Sequence, residues 1–147
     1  MKPEKKRIGR SDKLDFPEFG LTDIPVKTDT GAFTSSIHCT FKEEVEIDGK
    51  KILKFKLFDE SFGEIHDRVF ETSNFEWKKF KSSFGDEEKR YVIQTVIIAH
   101  GEEIPVELSL SDRSKMKFPV LLGRKFLNKR FIVNSTAIDI SFKNKNK

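Results

Sequence analysis

Cysteine is nearly missing from this chain of 147 residues, which carries Cys39 alone. A single thiol cannot close an intramolecular disulfide or build a multi-cysteine zinc site, and its expected place is as a small buried hydrophobe. Tyrosine and tryptophan occur once each, so aromatic burial falls to 15 phenylalanines. No apolar run approaches the roughly 18 residues of a membrane-spanning helix, so no membrane partner is expected. The first ten residues are basic with no apolar stretch behind them, which does not make a secretory signal and gives a cytoplasmic address as the expectation. A glycine-rich phosphate loop and a His-Glu-x-x-His pair are both missing, so neither an ATP site nor any other cofactor is expected. Internal repeats and linkers are missing too, and the length is that of one domain able to bury its own core.

Excess positive charge is missing from the body of the chain. The formal net charge is +4, but residues 1–10 carry +4 and residues 143–147 carry +3, which leaves the rest at −3. A nucleic-acid binder concentrates positive charge on its folded surface, so no nucleic-acid partner is expected. Residues 1–7 and 143–147 read as flexible polar tails around a single domain over residues 8–142.

What is present is a succession of extended segments. Residues 21–28 run as a strand, and Ile37, Cys39, Phe41, Val45 and Ile47 continue in extended chain to Asp48-Gly49, the strongest hairpin signal in the sequence. A loop longer by one residue than the strict two-residue turn pairs Val45 with Leu53 and Phe41 with Leu57, and is the preferred register because it puts apolar groups on one face. Residues 65–70 and 75–80 are further short strands. Residues 91–98 are rich in β-branched side chains and form the best buried strand. Ile104, Val106, Leu108 and Leu110 alternate with polar or small residues. Residues 124–128 are the one helical stretch, and residues 131–133 and 137–140 finish with two strands. The pattern predicts an all-β domain, a closed or partly open antiparallel barrel with one short helix near its C-terminal end.

Among these segments Val26-Lys27-Thr28-Asp29-Thr30-Gly31-Ala32-Phe33-Thr34-Ser35 stands out. An acid followed by a small hydroxylic residue and glycine, entered from a strand, holds a carboxylate at a tight turn with its backbone exposed. A carboxylate held that way can act as a base toward water. The order of strand, Asp29-Thr30-Gly31-Ala32, strands, hairpin, Val120-Leu121-Leu122-Gly123-Arg124 and short helix resembles a retropepsin-like aspartic protease. Closer still is the bacterial and archaeal group labelled ATP-dependent zinc protease, or RimB-like. Its patterns look like Lys27-Thr28-Asp29-Thr30-Gly31-Ala32-Phe33-Thr34-Ser35-Ser36-Ile37-His38, Arg90-Tyr91-Val92-Ile93, and the run from Leu110-Ser111-Asp112-Arg113 to Gly123-Arg124.

That resemblance implies an aspartic-type peptidase. Asp29 would be the catalytic acid, Thr30 would hydrogen-bond across the base of the site, and Gly31 and Ala32 would let substrate backbone approach. Leu122, Gly123 and Arg124 would support the motif from beneath, and a flap carrying Ser83, Phe84 and Gly85 would cover it. Because the chain has no second Asp-Thr-Gly or Asp-Ser-Gly, the mechanism implies a homodimer with one Asp29 from each copy. Two carboxylates about 3 Å apart share a proton, so one activates water while the other polarises the scissile carbonyl. Thr28 and Phe33 depart from the viral pattern, which has an apolar residue and an acid there, so Arg124 needs a different partner. The group's association with ATP-grasp glutamate ligases of the RimK type implies a glutamyl or poly-glutamate substrate and a functional link to such a ligase. Arg68, Arg90 and Arg113 fall at matched positions where guanidinium groups could bind carboxylates; their other reading is surface ion pairing. Two further readings stand beside this one: a zinc-dependent peptidase with His38 as a ligand, and a non-catalytic peptide-binding module on the same barrel.

Overall fold

In the computed structural model, residues 4–81, 84–113 and 117–145 are described. The strands are β1 (Lys6–Phe16), β2 (Leu21–Thr28), β3 (Ser35–Ile47), β4 (Lys50–Leu57), β5 (Phe70–Thr72), β6 (Phe75–Lys81), β7 (Glu87–Ala99), β8 (Glu102–Ser111), β9 (Val120–Leu122) and β10 (Phe131–Ile138). Three short helices join them: α1 (Glu64–Asp67), α2 (Arg124–Leu127) and α3 (Ile140–Lys145). The β-branched run of β7 and the alternation of β8 form the expected antiparallel pair, with Ile97 facing Ile104 and Ile93 facing Leu108.

Strands β1, β2, β9, β3, β8 and β7 follow one another in hydrogen-bonded order, and β7 returns to β1 through Asp15 and Ile98, closing a barrel. The fold is the all-β, retropepsin-like barrel that the sequence led us to expect. Its sheet is mixed, because β1–β10, β2–β9 and β3–β8 are parallel. Parallel neighbours are joined by long crossovers, and the order of extended segments in a sequence does not reveal them. The core inside is continuous, with Phe16, Val26, Ile37, Leu57, Ile97, Leu108 and Leu122 among its buried members. Gly9 lets β10 approach β1, since a Cβ there would lie 2.3 Å from the Ala137 carbonyl oxygen.

Three local expectations are corrected. The β3–β4 hairpin takes the strict two-residue turn, with Ile47 facing Lys50 and Val45 facing Ile52. Asp48 and Gly49 both have positive φ, 51° and 78°, the backbone that matches the twist of a two-residue hairpin. The apolar face of β4 does not need partners on β3, because Phe55 packs against Phe19 and Phe70 instead. A one-residue bulge between Cys39 and Phe41 then restores Cys39 opposite Leu57. Residues 65–70 are not one strand: Glu64–Asp67 form a helical turn and β5 begins at Phe70. The segments at 131–133 and 137–140 belong largely to one strand, β10, and the chain then turns into α3.

Helix α3 is fixed to the barrel by the carboxylate of Asp12, which is 1% exposed. Its oxygens accept the Ser141 N–H at 2.9 Å, the Phe142 N–H at 3.1 Å and the Lys13 N–H at 2.8 Å. At the far end, Lys145 pairs with Asp15 and Asp23. Replacing Asp12 by alanine strips buried amides of their acceptor and is expected to cost about 2–3 kcal/mol. For a domain of this size that is a fall in Tm of roughly 4–12 °C, measurable by thermal denaturation.

Candidate active site

The Asp29 turn leaves the barrel at the end of β2 and is held by the strand inserted beside it. Strand β9 lies between β2 and β3, parallel to the first and antiparallel to the second. Asp29 N–H donates to the Leu122 carbonyl at 2.9 Å. One residue later the chain of β9 passes under the returning arm of the turn. Gly123 N–H donates to Ser35 Oγ at 3.0 Å, Arg124 N–H to the Ala32 carbonyl at 2.8 Å and Lys125 N–H to the Phe33 carbonyl at 2.9 Å. A Cβ on Gly123 would stand 2.7 Å from the carbonyl oxygens of both Phe33 and Thr34, all backbone.

Within the turn, Gly31 N–H donates to Asp29 Oδ1 at 2.9 Å and Ala32 N–H to the Asp29 carbonyl at 3.3 Å. One carboxylate oxygen is thus fixed by backbone while the group stays half-buried. Arg124 finds its partners in the turn itself: Nη1 donates to the Thr30 carbonyl at 3.0 Å, and the guanidinium lies over the Phe33 ring at 5.8 Å. A cation over a ring replaces the ion pair that an acid at position 33 would supply. Thr28 is equally well accommodated, its buried hydroxyl donating to the Gly9 and Arg10 carbonyls. The Thr30 side chain is exposed.

Near Thr34, where the Asp29 loop runs into β3, stands the hairpin of β6 and β7. Its tip carries Phe84, 91% exposed, and Gly85 at φ 87°; Ser83 lies outside the described residues. Beneath the tip, Thr34 of the Asp29 loop joins Phe80, Lys81, Phe84, Asp86, Glu88 and Arg90 around a cavity of about 470 Å³. Arg90 in that cavity pairs with Glu88 at 3.0 Å and lies over Phe80.

The three arginines are dispersed. Arg113 reaches β3, where Nη1 donates to Ser36 Oγ at 3.2 Å; burial lowers its pKa, and the Asp29 charge partly opposes that. Arg68 lies on the β4–β5 flank, donating to the Phe19 carbonyl at 3.4 Å and standing over the Phe70 ring. His38 is 4% exposed, and its Nδ1 accepts the Arg113 N–H at 2.7 Å. Among the described residues no three His, Cys, Asp or Glu side chains gather where they could hold one metal ion. Because Nδ1 of His38 accepts an N–H, Nε2 carries the proton of the neutral ring and neither nitrogen offers zinc a lone pair, so these residues do not fit a zinc centre. Cys39 is buried, which pushes its thiol up, and its Sγ lies 3.1 Å from the Phe41 carbonyl.

Sequence reasoning missed two groups that organise this region. Ser35 and Ser36 stood inside the matched motif, but only their contacts give them roles. Glu107, 8% exposed, receives Lys78 from strand β6 and Lys125 from α2, together with Gln94. Burial raises its pKa, but the two lysine partners outweigh that and hold it below the usual glutamate range. A lone glutamate between strand residues gives no signal for this in sequence.

These features define the class: a retropepsin-like barrel with one acid on a glycine turn and a crossing glycine beneath it. The chain belongs to the RimB-like family, described as retropepsin-like aspartic endopeptidase RimB, whose pattern matches residues 8–144. Curated relatives include a probable alpha-L-glutamate ligase of Shewanella pealeana, 33% identical over 134 residues, and one of Desulfotalea psychrophila, 32% identical over 130. Those matches cover 91% and 88% of this chain but 29% and 28% of the relatives, so the chain spans under a third of their length. The crystal structure of a Legionella pneumophila protein of unknown function has the same fold, with a TM-score of 0.75 and 24% identity over 94% of this chain and 99% of that one. No helix among the described residues is long and apolar enough to cross a membrane.

Two outcomes follow from this geometry. Gly123→Ala is expected to destabilise the fold by about 3 kcal/mol, because the obstructing atoms are backbone, and a shift in denaturant midpoint measures it. Glu107 has its pKa depressed in the folded state, so its contribution is present above the unfolded value near about pH 4.3 and is lost as pH falls through the folded value. Glu107→Gln should therefore lose stability at pH 7 and lose less than wild type on acidification, as thermal melts from pH 7 to pH 3 would record.

Proposed function

We propose that the protein is an aspartic-type peptidase whose active site is completed by a second copy of the chain, and that it cleaves glutamyl peptides. The observation that carries this reading is the Asp29 turn: a half-buried carboxylate, pinned through one oxygen by Gly31 N–H and held from below by β9, with the β6–β7 hairpin beside Thr34 of the same loop. In a dimer the two Asp29 carboxylates share one proton. The ionised one takes a proton from the attacking water, and the protonated one donates to the scissile carbonyl oxygen as the tetrahedral intermediate forms. One chain offers a single such acid, so turnover needs the pair.

The substrate class rests on two supports. Arg113, half-buried, bonded to Ser36 and within the influence of the Asp29 charge, is a cation that suits the side-chain carboxylate of a glutamyl residue. The relatives named as glutamate ligases form the kind of bond that such a peptidase would break, which also makes a ligase of that type a functional partner.

With a peptide ending in several α-linked glutamates as substrate, Asp29→Asn is expected to lower kcat about 10²–10⁴-fold with an unchanged melting curve. Specific activity should also fall on dilution through the dimer dissociation range, as sedimentation and initial rates measured together would show. Full hydrolysis by Asp29→Asn would refute the reading.

A further inference from the structure

His38 is a buried polar side chain near the candidate site, and its hydrogen bonds join pieces of chain far apart in sequence. Its Nδ1 accepts the Arg113 N–H at 2.7 Å, and its own backbone N–H donates to the Pro119 carbonyl at 2.7 Å. Arg113 Nε in turn reaches the Phe118 carbonyl at 3.4 Å. One residue of β3 therefore grips both sides of the segment that carries Arg113 from β8 to β9. The far end of the Arg113 side chain meets Ser36, two residues from His38 on the same strand, and feels the charge of Asp29.

We propose that His38 is a positioning residue, which holds Arg113 at Ser36 by presenting Nδ1 as a hydrogen-bond acceptor in the neutral, Nε2-protonated form. A backbone amide can only donate, so the nitrogen facing it must be unprotonated, and in a neutral imidazole the proton then resides on the other nitrogen. That nitrogen, Nε2, is buried without a hydrogen-bond partner among the described residues. An imidazole kept in this costly state is explained by its Nδ1 contact rather than by its own solvation. Doubly protonated, the ring would turn an N–H toward the Arg113 N–H and release the segment.

The charged and titratable groups around the ring belong to several elements. Asp112 Oδ1 lies 3.8 Å from Nδ1. Asp59, whose carboxyl is held below its ordinary range first of all by its Ser61 hydrogen bonds, shares a cavity wall with it from the turn after β4. Cys39, Lys42, Glu60 and His66 share with it the wall of a cavity of about 750 Å³.

The inference rests on the peptidase reading for its consequence but not for its geometry, and the experiment separates the two. In the full chain at pH 7, nitrogen-15 NMR of the imidazole should find the proton on Nε2, and the Arg113 amide should exchange slowly with solvent. His38→Phe fills the space without an acceptor and should expose that amide; His38→Asn, whose carbonyl can accept the same hydrogen, should restore protection. In kinetics with the glutamyl peptide, His38→Phe is expected to raise KM about tenfold with kcat little changed. Because His38 acts through Arg113, adding it to Arg113→Ala should cost nothing further. A proton on Nδ1, a charged ring, or additive losses in the double variant would overturn the assignment. If no hydrolysis is found at all, the peptidase reading fails, and the NMR result alone decides the role of His38.

Discussion

The molecule depends on one close approach, the passage of Gly123 beneath Phe33 and Thr34. Atoms of two backbones come within the distance that a single methyl would occupy. From that approach follow the hydrogen bonds of Ser35, Ala32 and Phe33, and through Leu122 the anchoring of Asp29 itself. A three-residue strand could not hold this position by its own ladder. It is held because Val120, Leu121 and Leu122 are all buried between two longer strands. The turn is therefore rigid where it enters and where it leaves, while the carboxylate at its crest retains access to solvent.

Around this frame, charge is used for fastening more than for display. Glu107 ties β6 to α2, Asp12 holds α3, and Arg124 closes the turn by reaching back to Thr30. Each spans elements distant in sequence, and the carboxylates of Glu107 and Asp12 are each met by several hydrogen bonds, which is how a partly buried charge avoids a large desolvation cost. Most remaining charges lie on the surface, where pairs such as Lys6–Glu102 contribute little.

The strand pattern was legible because period-two alternation and β-branched runs are local properties: residues 91–98 and 104–110 declared themselves. The Asp29 motif and its partner at Leu122-Gly123 were legible for a different reason, since each combines residue types with few other uses. What escaped was non-local. The register of the Asp48-Gly49 hairpin was misread because the apolar face of β4 finds Phe19 and Phe70 rather than β3. The helical turn at Glu64–Asp67 was hidden in a segment too short to show a period. Arg68, Arg90 and Arg113 look alike in sequence, yet the fold sends one to a flank, one to the β6–β7 hairpin and one to Ser36. Parallel pairing, likewise, leaves no trace in the residues that do it.

The insertion of β9 also governs the order in which the protein can assemble during synthesis. The partners of the Asp29 turn lie some ninety residues downstream, and ribosomes extend chains at roughly 5–20 residues per second. For many seconds the acid loop exists without the strand that shapes it, as part of an unclosed sheet. Only after Lys125 has left the exit tunnel can the loop take its final form. The last third of the chain is thus a key that arms the first, and an incomplete copy carries Asp29 as an ordinary surface acid.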